Sequence, residues 1–283
     1  MVKVRLSLLD KISLFLSVYS QLVMSLLKIS WYSPFLIIAV FQLLGMAMFL
    51  WFYAPVLISI IKPILSLFVP AQAFHYPRYY LALPAIYAGY ETFILGPTIW
   101  ILMLVVVIRR LDGAFTRQWL TMQEGFGIAF DRYFRLLFIW FIETVLVLVI
   151  LYVPSVVLKD MMRSSPNMSA GIGVILQAAG LLVTAMLIYG VVGVVLDNKG
   201  VGEAIIDGII GFFRYPLITF SIVFIPNILR LVLNALLSDF APRIIGLLNP
   251  DLIPVIMVFY IITGIFINFF IYGAAVLLYR RLE

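Results

Sequence analysis

Cysteine is absent from the 283 residues, and histidine occurs once, at His75. The first absence excludes disulfides, thiolate catalysis and thiolate metal sites. The second excludes a multi-histidine metal centre and any serine–histidine–acid triad, because the only histidine is isolated. Charge is scarce as well, at 11% of residues, so few side chains are available to converge as acid and base. Gly200-Val-Gly202 has neither the preceding strand nor the lysine-threonine that a phosphate-binding loop needs. The chain is therefore expected to be no enzyme, with no cofactor and no metal. A compact apolar core followed by a small-residue cleavage pattern is also missing from the first 30 residues, which Lys3, Arg5, Asp10, Lys11 and Lys28 interrupt.

What the chain does have is hydrocarbon. Apolar residues make up 65% of it, and the mean hydropathy is +1.17, far outside the range of a soluble domain. Several runs approach or exceed the roughly 20 residues that cross a bilayer as a helix. Backbone groups in lipid must be satisfied internally, so a spanning chain is helical or a closed barrel. Unbroken apolar runs reject the alternation of a barrel. The expected fold is all-α and polytopic, with an amphipathic interfacial helix over 1–33 and a six-helix transmembrane domain over 34–283. The spans run about 34–61, 84–108, 136–158, 171–196, 216–237 and 253–278. The fourth is rich in small residues, among them Gly180, Gly190 and Gly193, which let backbones approach closely; it is expected to be the most centrally packed.

The net charge of +6 would suggest nucleic acid as a partner of a soluble protein. Here it follows the positive-inside bias, and no nucleic acid is expected. Cytoplasmic termini put 13 Lys and Arg inside: Lys3, Arg5, Lys11, Lys28, Arg109, Arg110, Arg117, Arg132, Arg135, Lys199, Arg214, Arg280 and Arg281. Lys62, Arg78, Lys159, Arg163 and Arg243 fall outside, and Arg230 is left within the bilayer. The expected location is the cell membrane, with both termini cytoplasmic and an even number of crossings.

Two segments 79 positions apart echo one another: Glu124–Arg135, EGFGIAFDRYFR, and Glu203–Arg214, EAIIDGIIGFFR. Acid matches acid, an aromatic pair matches an aromatic pair, and arginine matches arginine. Each feeds an apolar run, so both read as interfacial elbows that launch a helical hairpin. A fainter third copy covers Gln21 to Ser33. Glu124 and Glu203 are placed to favour a helix N-terminus, while Arg135 and Arg214 lie at headgroup level and are expected to contact lipid phosphates or a partner.

Intramembrane charges are costly and usually face a bundle interior or an aqueous cavity, which singles out Glu91, Glu143 and Arg230. Depth decides which can meet. Arg230 lies roughly 21 Å along a span starting at Pro216, and Glu91 roughly 25 Å from Ile108 at the same side. Glu143 is roughly 10 Å beyond Leu136, close to the depth of Asn268. A Glu91–Arg230 pair in the outer half and a Glu143–Asn268 contact in the inner half are therefore expected. They line a polar path, or they lock helices together.

The elbow pattern carried by Glu203, Ala204, Phe212, Phe213, Arg214 and Pro216 resembles prokaryotic six-span proteins that are akin to the membrane domain of glycerophosphodiester phosphodiesterase. The resemblance spans about 120–283 and implies a helical membrane module. The soluble phosphodiesterase domain is absent, so no catalytic residue is carried over. The expected function is a non-enzymatic integral subunit, a scaffold or accessory component of a larger membrane complex. Its partners would be the lipid bilayer and other membrane subunits or further copies of itself. The alternative is a transport module, since an in-plane N-terminal helix and six spans are similar to permease subunits of type-two ATP-binding-cassette exporters.

Overall fold

The structure is a computed structural model that describes residues 8–51, 59, 62–63, 75–116, 118, 120–158, 166–238 and 240–282. The helices are α1 (Leu8–Ser25), α2 (Ile29–Leu50), α3 (Tyr79–Tyr90), α4 (Ile101–Thr116), α5 (Met122–Val157), α6 (Pro166–Asp197), α7 (Val201–Arg214), α8 (Pro216–Ser238), α9 (Ala241–Leu247) and α10 (Leu252–Leu282). A π-helical stretch, Glu91–Trp100, joins α3 to α4 without a break. Among the described residues there is no strand. Six stretches are long and apolar enough to cross a membrane: Ser30–Leu50, Tyr79–Thr116, Met122–Pro154, Gly171–Asp197, Pro216–Leu237 and Leu252–Arg281. The fold is an all-α, six-span bundle. Most of the expected far end of the first span, 52–58 and 60–61, lies outside the described residues, as does most of the loop after it.

The π stretch has a local cause. Pro97 has no N–H to give, and its ring would collide with the carbonyl four residues back in a regular helix. A wider turn admits it. The hydroxyl of Tyr133, on α5, donates to the Pro97 carbonyl at 2.6 Å, which ties the wide turn to its neighbour.

The two elbows differ. At the second, Tyr215 leaves the helical region (φ −138°, ψ 59°), as a residue before proline is driven to do, and α8 starts afresh at Pro216. At the first there is no elbow. Met122–Val157 is one continuous helix of 36 residues, because Leu136-Leu137 stand where the second copy has Tyr215-Pro216. The expected surface segment 111–135 is likewise mostly helix belonging to the bundle. The helix α4 continues to Thr116 with Leu111, Asp112 and Gly113 buried. The chain then turns tightly beside Gly113, where an added Cβ would lie 2.1 Å from the Gln118 carbonyl oxygen.

The helix α6 forms the centre. Of its most apolar window 72% is buried, against 11% for α5. The elbow helix α7 packs directly on it through Ala204, Gly208 and Phe212, one residue per turn on a single face. Gly190 makes that approach possible, since a Cβ there would lie 2.3 Å from the Ala204 carbonyl oxygen. The opposite side of α7 exposes Ile206, Ile210 and Phe213. The helix α1 docks on α10: Val18 and Leu22 are fully buried, and Tyr19 stacks on Phe270 with ring centroids 5.8 Å apart.

Candidate intramembrane site

The spans bring Glu91 and Arg230 together. Arg230 Nη2 lies 3.0 Å from Glu91 Oε1, with side-chain exposures of 27% and 23%. Two further groups complete the cluster. Arg230 Nε donates to the Tyr260 hydroxyl at 2.6 Å, and its guanidinium carbon lies 4.7 Å from the centre of that ring. Gln42 Nε2 donates to the same Glu91 oxygen at 2.8 Å. Four segments therefore meet at one ion pair: α2, the π stretch, α8 and α10. Charge-assisted bonds of this kind in a low-dielectric interior are the strong ones.

The expected Glu143–Asn268 hydrogen bond is replaced. Glu143 instead accepts from Thr184 Oγ1 at 2.6 Å, because α5 packs against α4 and α6, whose side chains reach it at that depth. Asn268 lies across from it on the wall of the same cavity. That cavity, of about 430 Å³, is lined by all four anticipated residues, Glu91, Arg230, Glu143 and Asn268, together with Gln42, Trp100, Trp140, Asn227, Tyr260 and Tyr272. Two more cavities, of about 640 and 250 Å³, share Tyr260 with it and carry Gln177 and Asn234 on their walls. Tyr87 and Gln177 each present a buried polar atom, the hydroxyl and Oε1 respectively, with no hydrogen-bond partner among the described residues. Buried polar groups are ordinarily satisfied by protein or water, so two open groups beside a cavity mark it as a place for something polar.

At the other pole the basic residues gather. Arg132 Nη1 donates to the Val194 carbonyl at 3.1 Å, Arg109 Nη2 to Leu196 at 3.2 Å, and Arg135 Nη1 to Asn198 and Lys199 at 2.9 and 3.3 Å. The last carbonyls of a helix lack partners within it, and cations there complement its dipole. Three arginines thus close the C-terminus of α6. Arg135, expected at a headgroup, is turned onto protein carbonyls. Arg214 is exposed and lies over the Tyr215 ring at 5.4 Å. Glu124 completes a capping box with Thr121, accepting from its N–H and its hydroxyl, each at 2.8 Å. Glu203 sits exposed in the first turn of α7 with no side-chain capping bond; Gly200 is the cap residue. Arg280 grips Asp112 through two bonds of 2.8 and 2.9 Å. Lys199 is held by Asp207 at 2.9 Å. Burial opposes the Lys199 charge, but the Tyr279 hydroxyl and Asp207 carboxylate outweigh it and raise the pKa above that of an ordinary lysine.

Tyr260, Gln42 and Thr184 were not singled out from the sequence. Tyr260 had a usable signal: it lies 18 residues before Leu278, roughly 27 Å along the helix and level with Glu91. Fold and site together define a multi-pass helical membrane protein with a polar chamber inside its bundle. No family model matches the chain, and no curated protein or solved structure matches it.

Proposed function

We propose that this chain is a membrane transport module that admits a small polar solute to the chamber around Arg230. The observation that supports it is the placing of an arginine at bilayer depth on the walls of two of the three cavities, held by Glu91 and by Tyr260, which lines all three, with the open polar atoms of Tyr87 and Gln177 beside the third. A tie that merely locked helices would be better served by close packing, since burying an ion pair gains little over well-packed apolar residues. The form of transporter favoured is not an ATP-binding-cassette permease. Between α4 and α5 lie only residues 117–121, too few for a separate coupling helix. The basic pole faces the cytoplasm under this reading, because Lys and Arg are retained on that side.

A second reading, the accessory subunit, is favoured by one feature. The outer face of α5 exposes Phe130, Phe134, Phe138, Phe141, Val145 and Val149, a continuous apolar stripe that another membrane helix would fit.

The natural lack of cysteine makes the test direct. Asn227→Cys, on the chamber wall, is placed in the otherwise unchanged chain in sealed vesicles. It is then challenged from each side with a membrane-impermeant thiol reagent. Labelling from either side supports a passage. Protection from both sides, with labelling only after denaturation, contradicts the transport reading.

A further inference from the structure

The charges on the chamber wall do not balance. Glu91 and Arg230 cancel as a pair at 3.0 Å. Glu143 remains, within a span whose flanks are Phe141, Ile142, Thr144 and Val145. Its carboxylate accepts one hydrogen bond, from Thr184, and no lysine or arginine among the described residues forms an ion pair with it. An isolated carboxylate in such a medium is expensive to keep charged, so it holds a proton or a mobile cation.

The surroundings favour a particular cation. Trp100, Trp140 and Tyr272 line the same cavity of about 430 Å³. Trp140 is fixed against the backbone at Gly96, where even an added Cβ would lie 2.9 Å from its indole nitrogen. Aromatic faces around a desolvated positive centre are the usual means of binding organic ammonium groups. A cavity of this size lies within the range that holds a small molecule. A hydrated inorganic ion gains little from tryptophan faces, and a free anion would meet the wrong charge.

We propose that Glu143 and the aromatic wall beside it form a binding site for a lipophilic organic cation, which takes the place of a proton on the Glu143 carboxylate. Glu91, Thr92, Arg230, Tyr260, Tyr272 and Thr184 are the charged and hydroxyl-bearing groups that line the chamber from the neighbouring helices. None of them supplies a second free counter-charge. Cation affinity therefore rises with pH as the competing proton is lost. The proposal rests on reading the cavity as a solute chamber, and names what that chamber takes.

The test uses the full chain in nanodiscs of zwitterionic lipid, with tetraphenylphosphonium as probe and uncharged triphenylphosphine oxide as its control, read by calorimetry and tryptophan fluorescence. Tetraphenylphosphonium is expected to bind at about pH 8, and about tenfold or more weakly at about pH 5. Glu143→Gln keeps the acceptor for Thr184 while removing the charge, and should weaken binding about tenfold or more. Glu143→Asp should fall between it and the wild type, and melting curves check that both variants are folded. Equal binding by Glu143→Gln, equal binding of the neutral analogue, or no binding to folded wild type overturns the proposal. Absence of cation binding alongside two-sided labelling of Asn227→Cys removes this inference and leaves the transport reading standing. Charge-dependent binding with a fully protected Asn227→Cys does the reverse.

Discussion

Removing the Arg230 guanidinium alone should cost much more than removing it together with the Glu91 charge. In Arg230→Met the Glu91 carboxylate keeps only the Gln42 amide, which donates at 2.8 Å. Breaking a buried pair from one side costs about 3–5 kcal/mol. About a quarter of each side chain is still exposed and the amide remains, so the lower end, about 3 kcal/mol, applies. Glu91→Gln/Arg230→Met strands no charge; it loses the bond to Tyr260 and some packing, about 1 kcal/mol. The double variant should then be about 2 kcal/mol more stable than Arg230→Met, a gap large enough to resolve within a double-mutant cycle. Against a total stability of about 5–15 kcal/mol, every member of the cycle should remain folded. Denaturant unfolding in nanodiscs, followed by tryptophan fluorescence, gives the four stabilities. If the double variant is no more stable than Arg230→Met, the two charges are not held against one another and the geometry of the chamber is wrong.

Other expectations concern the frame around it. In Gly190→Ala the new Cβ would meet backbone, the Ala204 carbonyl at 2.3 Å, so α7 must move off α6; a loss of about 1–3 kcal/mol should appear as a lower melting temperature. Pro216→Ala frees the Tyr215 backbone to continue the helix, so the distance between nitroxides at positions 206 and 225, read by pulsed electron resonance, should lengthen. Lys199 contributes stability that is fully present below the pKa of an unfolded lysine, about 10.4. The contribution disappears as pH rises through its raised folded value. The stability difference between wild type and Lys199→Met should therefore shrink above about pH 10.4 and stay level below it.

The six crossings and the meeting of Glu91 with Arg230 were legible in the sequence for one reason. A helix in a bilayer advances a fixed 1.5 Å per residue, so counting from the basic ends gives depth. Depth says nothing about which helices are neighbours. Glu143 and Asn268 share a level and a cavity, yet Thr184 takes the hydrogen bond because α5 lies against α6. The matching of Glu124–Arg135 to Glu203–Arg214 misled in a related way. Apolar and charged positions repeat, but the bend depends on Pro216, whose counterpart is Leu137. Arg135, expected at a headgroup, closes a helix end instead, beside two arginines counted only on the cytoplasmic side. Arg109, Arg132 and Arg135 serve the α6 carbonyls, a use of charge that sequence position alone does not distinguish from lipid contact. The fourth span's many small residues, by contrast, announced correctly that a second backbone would press against it.

A density map of the full chain in a lipid nanodisc tests the central claim most directly. Six crossings are predicted, with the Arg230 guanidinium against Glu91 and Tyr260 inside the hydrocarbon layer and open space beside it reaching Glu143. Fewer crossings, or an Arg230 side chain extended to the headgroups with Glu91 on a separate face of the bundle, would contradict it.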